Sequence, residues 1–121
     1  MNTIKSIEDN GDGFTIKTDS EEVSLGIGMA QDCCEVFGYF MSQDDLSQFI
    51  GAELLNVEVV DNCLVTNELL PYACRMGDTM FVNIITNRGV LQFIAYNSHN
   101  GYYGHLAWAK RNDTVIKECY L

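Results

Sequence analysis

The stretch TMFVNIITNRGVLQFIAYNS, residues 79 to 98, decides the fold of this 121-residue chain. Two mostly apolar runs flank the sequence Asn-Arg-Gly at 87–89, which supplies residue types that a tight β-turn needs. Aromatic and β-branched residues are frequent in both runs, as is typical of strands. The stretch therefore predicts a long antiparallel hairpin, and its near-continuous apolar character predicts a central place in a sheet.

Shorter runs that alternate apolar and polar residues lie on both sides of this hairpin and predict further strands. The turn sequence DNGDG at 9–13 separates the first two of these runs. The last run, 115–121, has two open interpretations, a final edge strand or a tail. The other predicted strands are 3–7, 14–18, 21–29, 54–60 and 105–109.

The pattern changes after the third predicted strand. Asp32 followed by Glu35 resembles a capping box, with apolar residues at helical spacing behind it, and predicts a short helix. Ser42 and Asp45 repeat the cap signature ahead of LSQFI (46–50), and Gly51 fits a helix stop, which predicts a second short helix. The long segment 61–77 has no clean period and predicts an irregular connection.

These patterns together predict one fold for the whole chain. We expect a single α+β domain over residues 1–121, with a curved, mainly antiparallel sheet of about six or seven strands. The two short helices are expected after the third strand.

Charge is the strongest feature of the composition. The formal net charge is −10, and the first 68 residues carry 14 acids against only Lys5 and Lys17. Such a surface repels phosphate, so a direct nucleic-acid ligand is not expected. Two interpretations stay open: the acids match a protein partner with a basic surface, or they only keep a small protein soluble.

The cellular location is predicted from the hydrophobic stretches, the first residues and the cysteines of the sequence. No stretch is long and apolar enough for a membrane helix, and the first residues do not resemble a secretion signal. Five cysteines, an odd number, favour free thiols over a disulfide framework. We therefore expect a cytoplasmic protein without a membrane partner.

The sequence NSHNGYYGH at 97–105 is richer than a turn requires, because it holds adjacent tyrosines and both histidines of the chain. Rigid aromatic rings beside amide and imidazole groups are typical of recognition surfaces. The other interpretation is a tight corner of the fold in which the tyrosines only pack. The candidate binding residues here are His99, Asn100, Tyr102, Tyr103 and His105.

Cys33, Cys34 and Glu35 form a second candidate site at the start of the first predicted helix. A helix N-terminus favours a thiolate or a bound anion, although neighbouring acids oppose a thiolate and free cysteines usually pack in cores. The spacing of the cysteines and histidines fits no zinc motif, so neither a metal nor a cofactor is expected. None of the common enzyme motifs is present, and no catalytic residue is predicted.

Three of these motifs, in this order, resemble a family of small uncharacterised domains from bacteria and their phages. The matching segments are the Asp-Cys-Cys-Glu stretch 32–35, the Asp-Leu-x-x-Phe-Ile-Gly segment 45–51 and the Ser-x-Asn-Gly-Tyr-Tyr loop 98–103. This chain differs in that His99 is inserted into the loop. The resemblance implies an accessory protein of a phage or mobile element, and it implies no reaction.

The preferred hypothesis is a non-enzymatic, acidic binding protein that inhibits a host factor, such as a defence protein, through that factor's basic surface. A first alternative is a binder that sequesters a small nucleotide-like signalling molecule, with a tyrosine stacked on the base and the helix start at Cys33 receiving phosphate. A second alternative is an enzyme that depends on cysteine or a metal.

Overall fold

A computed structural model describes residues 2–28, 36–43, 45–60, 78–98 and 106–121. Within these ranges the chain forms nine strands and one short 3₁₀ helix, Leu46–Phe49. In chain order the strands are β1 (Ile4–Asp9), β2 (Gly13–Thr18), β3 (Glu22–Ile27), β4 (Val36–Met41), β5 (Leu54–Val60), β6 (Asp78–Thr86), β7 (Gly89–Ser98), β8 (Leu106–Arg111) and β9 (Thr114–Tyr120).

The strands form two antiparallel sheets. The first sheet has the order β1-β2-β3-β8-β9, and the second has the order β4-β7-β6-β5. The chain moves from the first sheet to the second after β3 and returns after β7. The prediction of an α+β fold with one curved sheet and two helices was therefore wrong, because the described part of the chain is nearly all β.

The first predicted helix is replaced by strand β4, which pairs with β7 from Val36↔Ser98 to Met41↔Phe93. The sequence VFGYFM is apolar on both faces, and such a run has no period that separates a strand from a buried helix. Gly38 is in place because Tyr96 of β7 lies across it, and an added Cβ would lie 3.0 Å from the Tyr96 hydroxyl oxygen. Gly38 thus lets Tyr96 lie close to β4, and a larger residue at this position would displace the tyrosine hydroxyl.

The second predicted helix is only the 3₁₀ turn Leu46–Phe49. Its ends were located correctly: the Asp45 carboxylate accepts a hydrogen bond from the Ser47 backbone N–H, and Gly51 has a positive φ of 89°. The helix extends no further because Ile50 is already in the extended conformation. Phe49 anchors the turn, since its side chain is buried in the main core.

The predicted central hairpin is confirmed. β6 pairs with β7 from Asp78↔Asn97 to Thr86↔Gly89, so that Asn87 and Arg88 form the turn. Gly89 has a φ of 118°, which explains why the turn ends in glycine. The open question about residues 115–121 is also answered, because β9 forms an edge strand beside β8.

The main core lies between the two sheets, where inward-facing residues of both meet. Phe14 of the first sheet contacts Tyr39 and Phe93 of the second, with ring centroids 5.6 Å and 6.3 Å away in edge-to-face geometry. Such pairs contribute about 0.5–1.5 kcal/mol beyond the burial of their area. The largest fully buried aliphatic side chains are Ile4, Ile16, Leu25, Ile27, Ile84, Leu91 and Ile94.

Glycines shape the outer face of the first sheet. The Trp108 side chain of β8 lies against Gly26 of β3, where an added Cβ would be 2.3 Å from the indole Cζ2 atom. The indole N–H donates a 3.3 Å hydrogen bond to the Ser24 hydroxyl. This face therefore carries a half-buried tryptophan that the adjacent strand accommodates.

Candidate functional site

All eight predicted site residues lie outside the described residues. Cys33, Cys34 and Glu35 belong to segment 29–35, and the five loop residues belong to segment 99–105. The structure does describe the residues at which both segments begin and end. Their positions show which parts of the sequence the fold brings together.

The two segments share paired anchors at both ends. Gly28, just before the first segment, donates its backbone N–H to the Leu106 carbonyl, just after the second, at 2.7 Å. At the other ends, Val36 and Ser98 are register partners in β4 and β7. Each segment therefore connects one sheet to the other, and the two segments begin and end at neighbouring positions. We call the region bounded by Gly28, Val36, Ser98 and Leu106 the crossover corner.

Two more connections start or end beside the crossover corner. The β1–β2 turn lies next to the end of β3, because the Asp12 carbonyl accepts a 2.8 Å hydrogen bond from the Ile27 N–H. Segment 61–77 leads into Asp78, whose register partner Asn97 precedes Ser98. The buried Asn97 side chain donates a 3.0 Å bond to the Leu121 carbonyl, which links the second sheet to the residue after β9.

The sequence of the connections that begin or end beside the crossover corner is strongly acidic. Together with the β1–β2 turn and Asp78 they hold seven acids and a single arginine, a formal net charge of −6 out of −10 for the chain. Two acids at the other ends of the strands of the first sheet have cationic partners. Glu21 is held by Arg111 at 2.5 Å, and Asp19 is 3.2 Å from Lys5. The seven acids in these stretches of sequence are Asp9, Asp12, Asp32, Glu35, Asp61, Glu68 and Asp78, and the arginine is Arg75.

Asp9, the last residue of β1, lies beside the crossover corner and accepts two hydrogen bonds. Its carboxylate accepts a 2.5 Å hydrogen bond from the Tyr39 hydroxyl and a 2.9 Å bond from the Gly11 backbone N–H. These bonds, the tyrosine one first, lower the pKa of Asp9 below its ordinary value. Burial and the neighbouring carboxylate raise the pKa of Tyr39 to about 12. Asp9 therefore remains an anion under all physiological conditions.

Comparison with known protein families assigns the chain. A model of the family described as Domain of unknown function (DUF7448) matches residues 2–108. The chain belongs to this family. No curated protein and no solved structure matches it. The resemblance inferred from the three motifs is thus confirmed at the level of an uncharacterised domain family.

The fold of this DUF7448 domain changes the interpretation of Cys33 and Cys34. Their candidate role depended on a helix N-terminus, whose partial positive charge comes from aligned peptide units. A helix that began after Asp32 would end before Val36, because Val36–Met41 is a strand. The helix-dipole argument for a thiolate or a bound phosphate therefore fails.

An open depression of about 380 Å³ lies on the outer face of the first sheet of this DUF7448 domain. Its walls are formed by Glu22, Ser24, Asn112 and Asp113, and none of these was a candidate residue. Ser24 already accepts a hydrogen bond from Trp108. Within the described ranges, no group of three potential metal ligands occurs and no helix is long and apolar enough to span a membrane.

Sequence reasoning missed the contribution of the β1–β2 turn to the crossover corner of this DUF7448 domain. Asp9 and Asp12 were interpreted only as turn residues, since local sequence explains them fully. Their position beside β3 and β4 depends on the packing of the two sheets. The one available signal was the density of acids in residues 8–12, where three of five residues are Asp or Glu.

Proposed function

We propose that this DUF7448 domain is a non-enzymatic binding protein that docks on a basic protein surface through its crossover corner. The proposal rests on one observation: the residues that flank one motif segment are neighbours of the residues that flank the other. Residues 29–35 and 99–105 are about seventy positions apart in sequence, yet Gly28 with Leu106 and Val36 with Ser98 place both ends of one segment next to both ends of the other. The connections of a two-sheet β protein are its usual binding elements.

Charge defines the kind of partner. The connections that begin or end beside the crossover corner, together with Asp78, carry a formal net charge of −6, which favours a basic surface and opposes nucleic acid because phosphates would be repelled. The Asn-Gly-Tyr-Tyr sequence adds aromatic and amide groups that suit the centre of a protein interface. We therefore favour a protein partner whose contacts combine salt-dependent attraction with one or two aromatic anchors.

The biological setting in this proposal comes from the family resemblance. An accessory protein of a phage or mobile element that binds a host factor, for example a defence protein, would act by covering that factor's basic surface. Such a protein would work in the host cytosol. A bulky acidic domain that occupies a basic groove needs no catalytic residue.

The nucleotide-binding alternative now has less support. It required a phosphate-receiving helix start at Cys33, and Val36–Met41 is a strand. Stacking by Tyr102 or Tyr103 remains a hypothesis for this alternative. A rise in melting temperature with added nucleotides, lost in Tyr103→Ala, would restore it ahead of the protein partner.

The proposed function is tested with two variants of equal charge. Asp12→Asn/Asp32→Asn/Glu35→Gln removes three acids at the corner, and the control Glu22→Gln/Glu53→Gln/Asp113→Asn removes three acids elsewhere. Both variants and the natural protein serve as baits in bacterial lysates at about 50 and 300 mM salt.

We expect the natural protein and the control to capture the same partner at low salt, and the corner variant to bind it about tenfold more weakly. High salt should weaken all three interactions. A partner that is retained equally by both variants, or that binds equally well at both salt concentrations, would refute the acidic-corner mechanism.

A further inference from the structure

Among the described strands, β4 is the one edge strand that lacks the features by which proteins protect the edge of a sheet. The two sheets end in β1 and β9 and in β4 and β5. The ladders of β1, β5 and β9 each contain a register shift, and each of these strands has at least one charged residue. β4 pairs with β7 in an unbroken register, and its sequence VFGYFM has neither charge nor proline. An edge of this kind is open to pairing with another strand.

The hydrogen-bond pattern shows which backbone groups of β4 point away from β7. The Ser42 N–H donates a 2.8 Å bond to the Gln92 carbonyl, so the backbone groups of Ser42 face β7. Because these directions alternate along an antiparallel strand, Phe40 and Gly38 also face β7. In the described part of the chain no other strand or turn bonds the backbone groups on the opposite side. The residues with outward N–H and C=O groups are therefore Phe37, Tyr39 and Met41.

The first sheet packs against the inner face of β4 and not beside its edge. β3 lies near both β4 and its neighbour β7, as a strand does when it approaches a sheet from the face. The Tyr39 ring points to the same inner face, where the ring centroids of Phe14 and Phe93 lie 5.6 Å and 6.1 Å away. The outward backbone groups of β4 are thus at the side of the second sheet.

We propose that a second copy of the chain pairs with this edge, so that two β4 strands lie antiparallel across a two-fold axis at Tyr39. In this register Tyr39 pairs with its own copy, Phe37 pairs with Met41, and the outward groups of all three bond each other. Gly38 then lies opposite Phe40 of the second copy. The inference goes beyond the proposed function and does not depend on it.

β4 is self-complementary in this register. The half-buried Phe40 ring lies on the outer face of the second sheet, opposite to Tyr39, and contacts Tyr96. An aromatic ring beside a glycine of the neighbouring strand covers exposed backbone and stabilises the pairing. The two-fold axis creates this pair twice. A register shifted by two residues would leave Phe37 or Met41 without a partner in the strand.

Charge gives the dimer a salt dependence opposite to that of the basic partner. Each copy has a formal net charge of −10, which opposes association at long range, but β4 itself brings no charge to the contact. Salt screens the long-range repulsion and leaves the backbone hydrogen bonds intact. Pairing through β4 should therefore become stronger as the salt concentration rises.

Sedimentation velocity of the natural protein, from about 1 μM to 1 mM, measures association over the range of weak and moderate dimers. We expect a reversible dimer whose fraction is larger at about 300 mM than at about 50 mM salt. Hydrogen exchange at both ends of the concentration range locates the contact. The Tyr39 and Met41 amides should become protected only in the dimer, whereas β7 protects those of Gly38 and Phe40 throughout. A monomer at all concentrations, association that weakens with salt, or outward amides that stay unprotected in the dimer would overturn the proposal.

The register is tested in a sample that mixes ¹³C-labelled and unlabelled chains. Gly38 and Phe40 of the second copy form a pair without direct hydrogen bonds, in which the Cα atoms are about 4.5 Å apart and the α protons face each other. We expect a nuclear Overhauser contact between these α protons across the interface. Intermolecular contacts from another strand in place of β4 would refute the pairing.

Phe37→Pro removes one outward N–H and leaves the bonds to β7 in place, whereas Phe37→Ala is the matched control that keeps this N–H. The proline variant should dimerise at least about tenfold more weakly than the alanine variant, with the melting temperatures of both compared. Equal dimerisation of the two variants would exclude the β4 edge. The proposed function would survive that result, because the lysate capture tests acids outside β4.

Discussion

The Tyr39 hydroxyl donates a 2.5 Å hydrogen bond to Asp9 Oδ1 and so fastens the second sheet to the first turn of the first sheet. Tyr39 also contacts Phe14 and Phe93 through its ring. One side chain thus connects the main core with an acid of the crossover corner. The arrangement implies that the position of the acidic turn depends on this bond.

Tyr39→Phe should remove the bond and keep the ring packing. We expect a loss of about 1 kcal/mol at neutral pH, because Asp9 is largely exposed and water replaces part of the interaction. Since the pKa of Asp9 is lowered from 3.8, its contribution is present above that pH and disappears as the pH falls through the folded value. Urea unfolding at pH 7 and at a series of lower pH values measures these energies, and the difference between variant and natural protein should shrink as the pH falls.

The alkaline side gives an independent check of the same bond. The pKa of Tyr39 is raised from 10.0 to about 12, so stability that is fully present below pH 10 should be lost between pH 10 and pH 12. Tyr39→Phe should lack this loss. The control Tyr120→Phe changes a ring that is 75% exposed and should leave the profile unaltered. An identical alkaline profile in Tyr39→Phe and the natural protein would contradict the bond.

The hairpin at 79–98 and its neighbour β4 show which features of the fold local sequence predicts and which it does not. Turn chemistry and apolar runs are local, so the turn at Asn87 and Arg88 and the positive φ of Gly89 were predictable. Strand β4 was not, because Val36–Met41 becomes a strand through its pairing with β7, about sixty residues away. The capping pattern at Asp32 and Glu35 is local and predicted a helix. The residues that follow favour a strand, but their pairing with β7 is a long-range contact that local sequence does not contain.

The candidate site shows the same division between local and long-range information. Motif composition selected segments 29–35 and 99–105 separately, without any sign that they are neighbours. Their proximity follows from Gly28 bonding Leu106 and from Val36 pairing with Ser98, both of which are long-range contacts. The acids of the β1–β2 turn join the corner for the same reason.

Arg111 should be sensitive to replacement even by lysine. Its guanidinium forms two bonds to the Glu21 carboxylate, 2.5 Å from Nε and 2.8 Å from Nη2, in a partly buried site. These bonds, the larger cause, lower the pKa of Glu21. Lysine has the charge but cannot form this fork, so Arg111→Lys should lose about 1–2 kcal/mol at pH 7.

The pH dependence of Arg111→Lys distinguishes the fork from simple packing. The contribution of Glu21 is present above its ordinary pKa of 4.5 and is lost as the pH falls through the lower folded value. The difference between variant and natural protein should therefore shrink in acid. Lys5→Ala is the control, since its bond to Asp19 joins two exposed side chains and should have no measurable effect.

Arg88 should stabilise the 3₁₀ turn from the tip of the central hairpin. Its Nη1 atom donates 3.0 Å bonds to the carbonyls of Gln48 and Ile50, at the end of that turn. Arg88→Ala leaves both carbonyls to water and should lose about 1–2 kcal/mol. Hydrogen exchange should accelerate for the Ile50, Gly51 and Ala52 amides more than for β9. Uniform acceleration across the protein would show that Arg88 acts on global stability alone.

Gly26→Ala should be among the most damaging single substitutions in the first sheet. The new Cβ would lie 2.3 Å from Trp108 Cζ2 and 2.6 Å from the Asp12 carbonyl, so both the ring and the backbone of the acidic turn must move. We expect a loss of about 2–4 kcal/mol and a shift in tryptophan fluorescence. Gly28→Ala is the matched control, because its nearest neighbour would be 3.7 Å away, and it should lose less than about 1 kcal/mol. Adding Trp108→Ala to Gly26→Ala should recover only part of the stability, since the clash with the Asp12 carbonyl remains. Full recovery in the double variant would mean that the turn beside the crossover corner is free to shift.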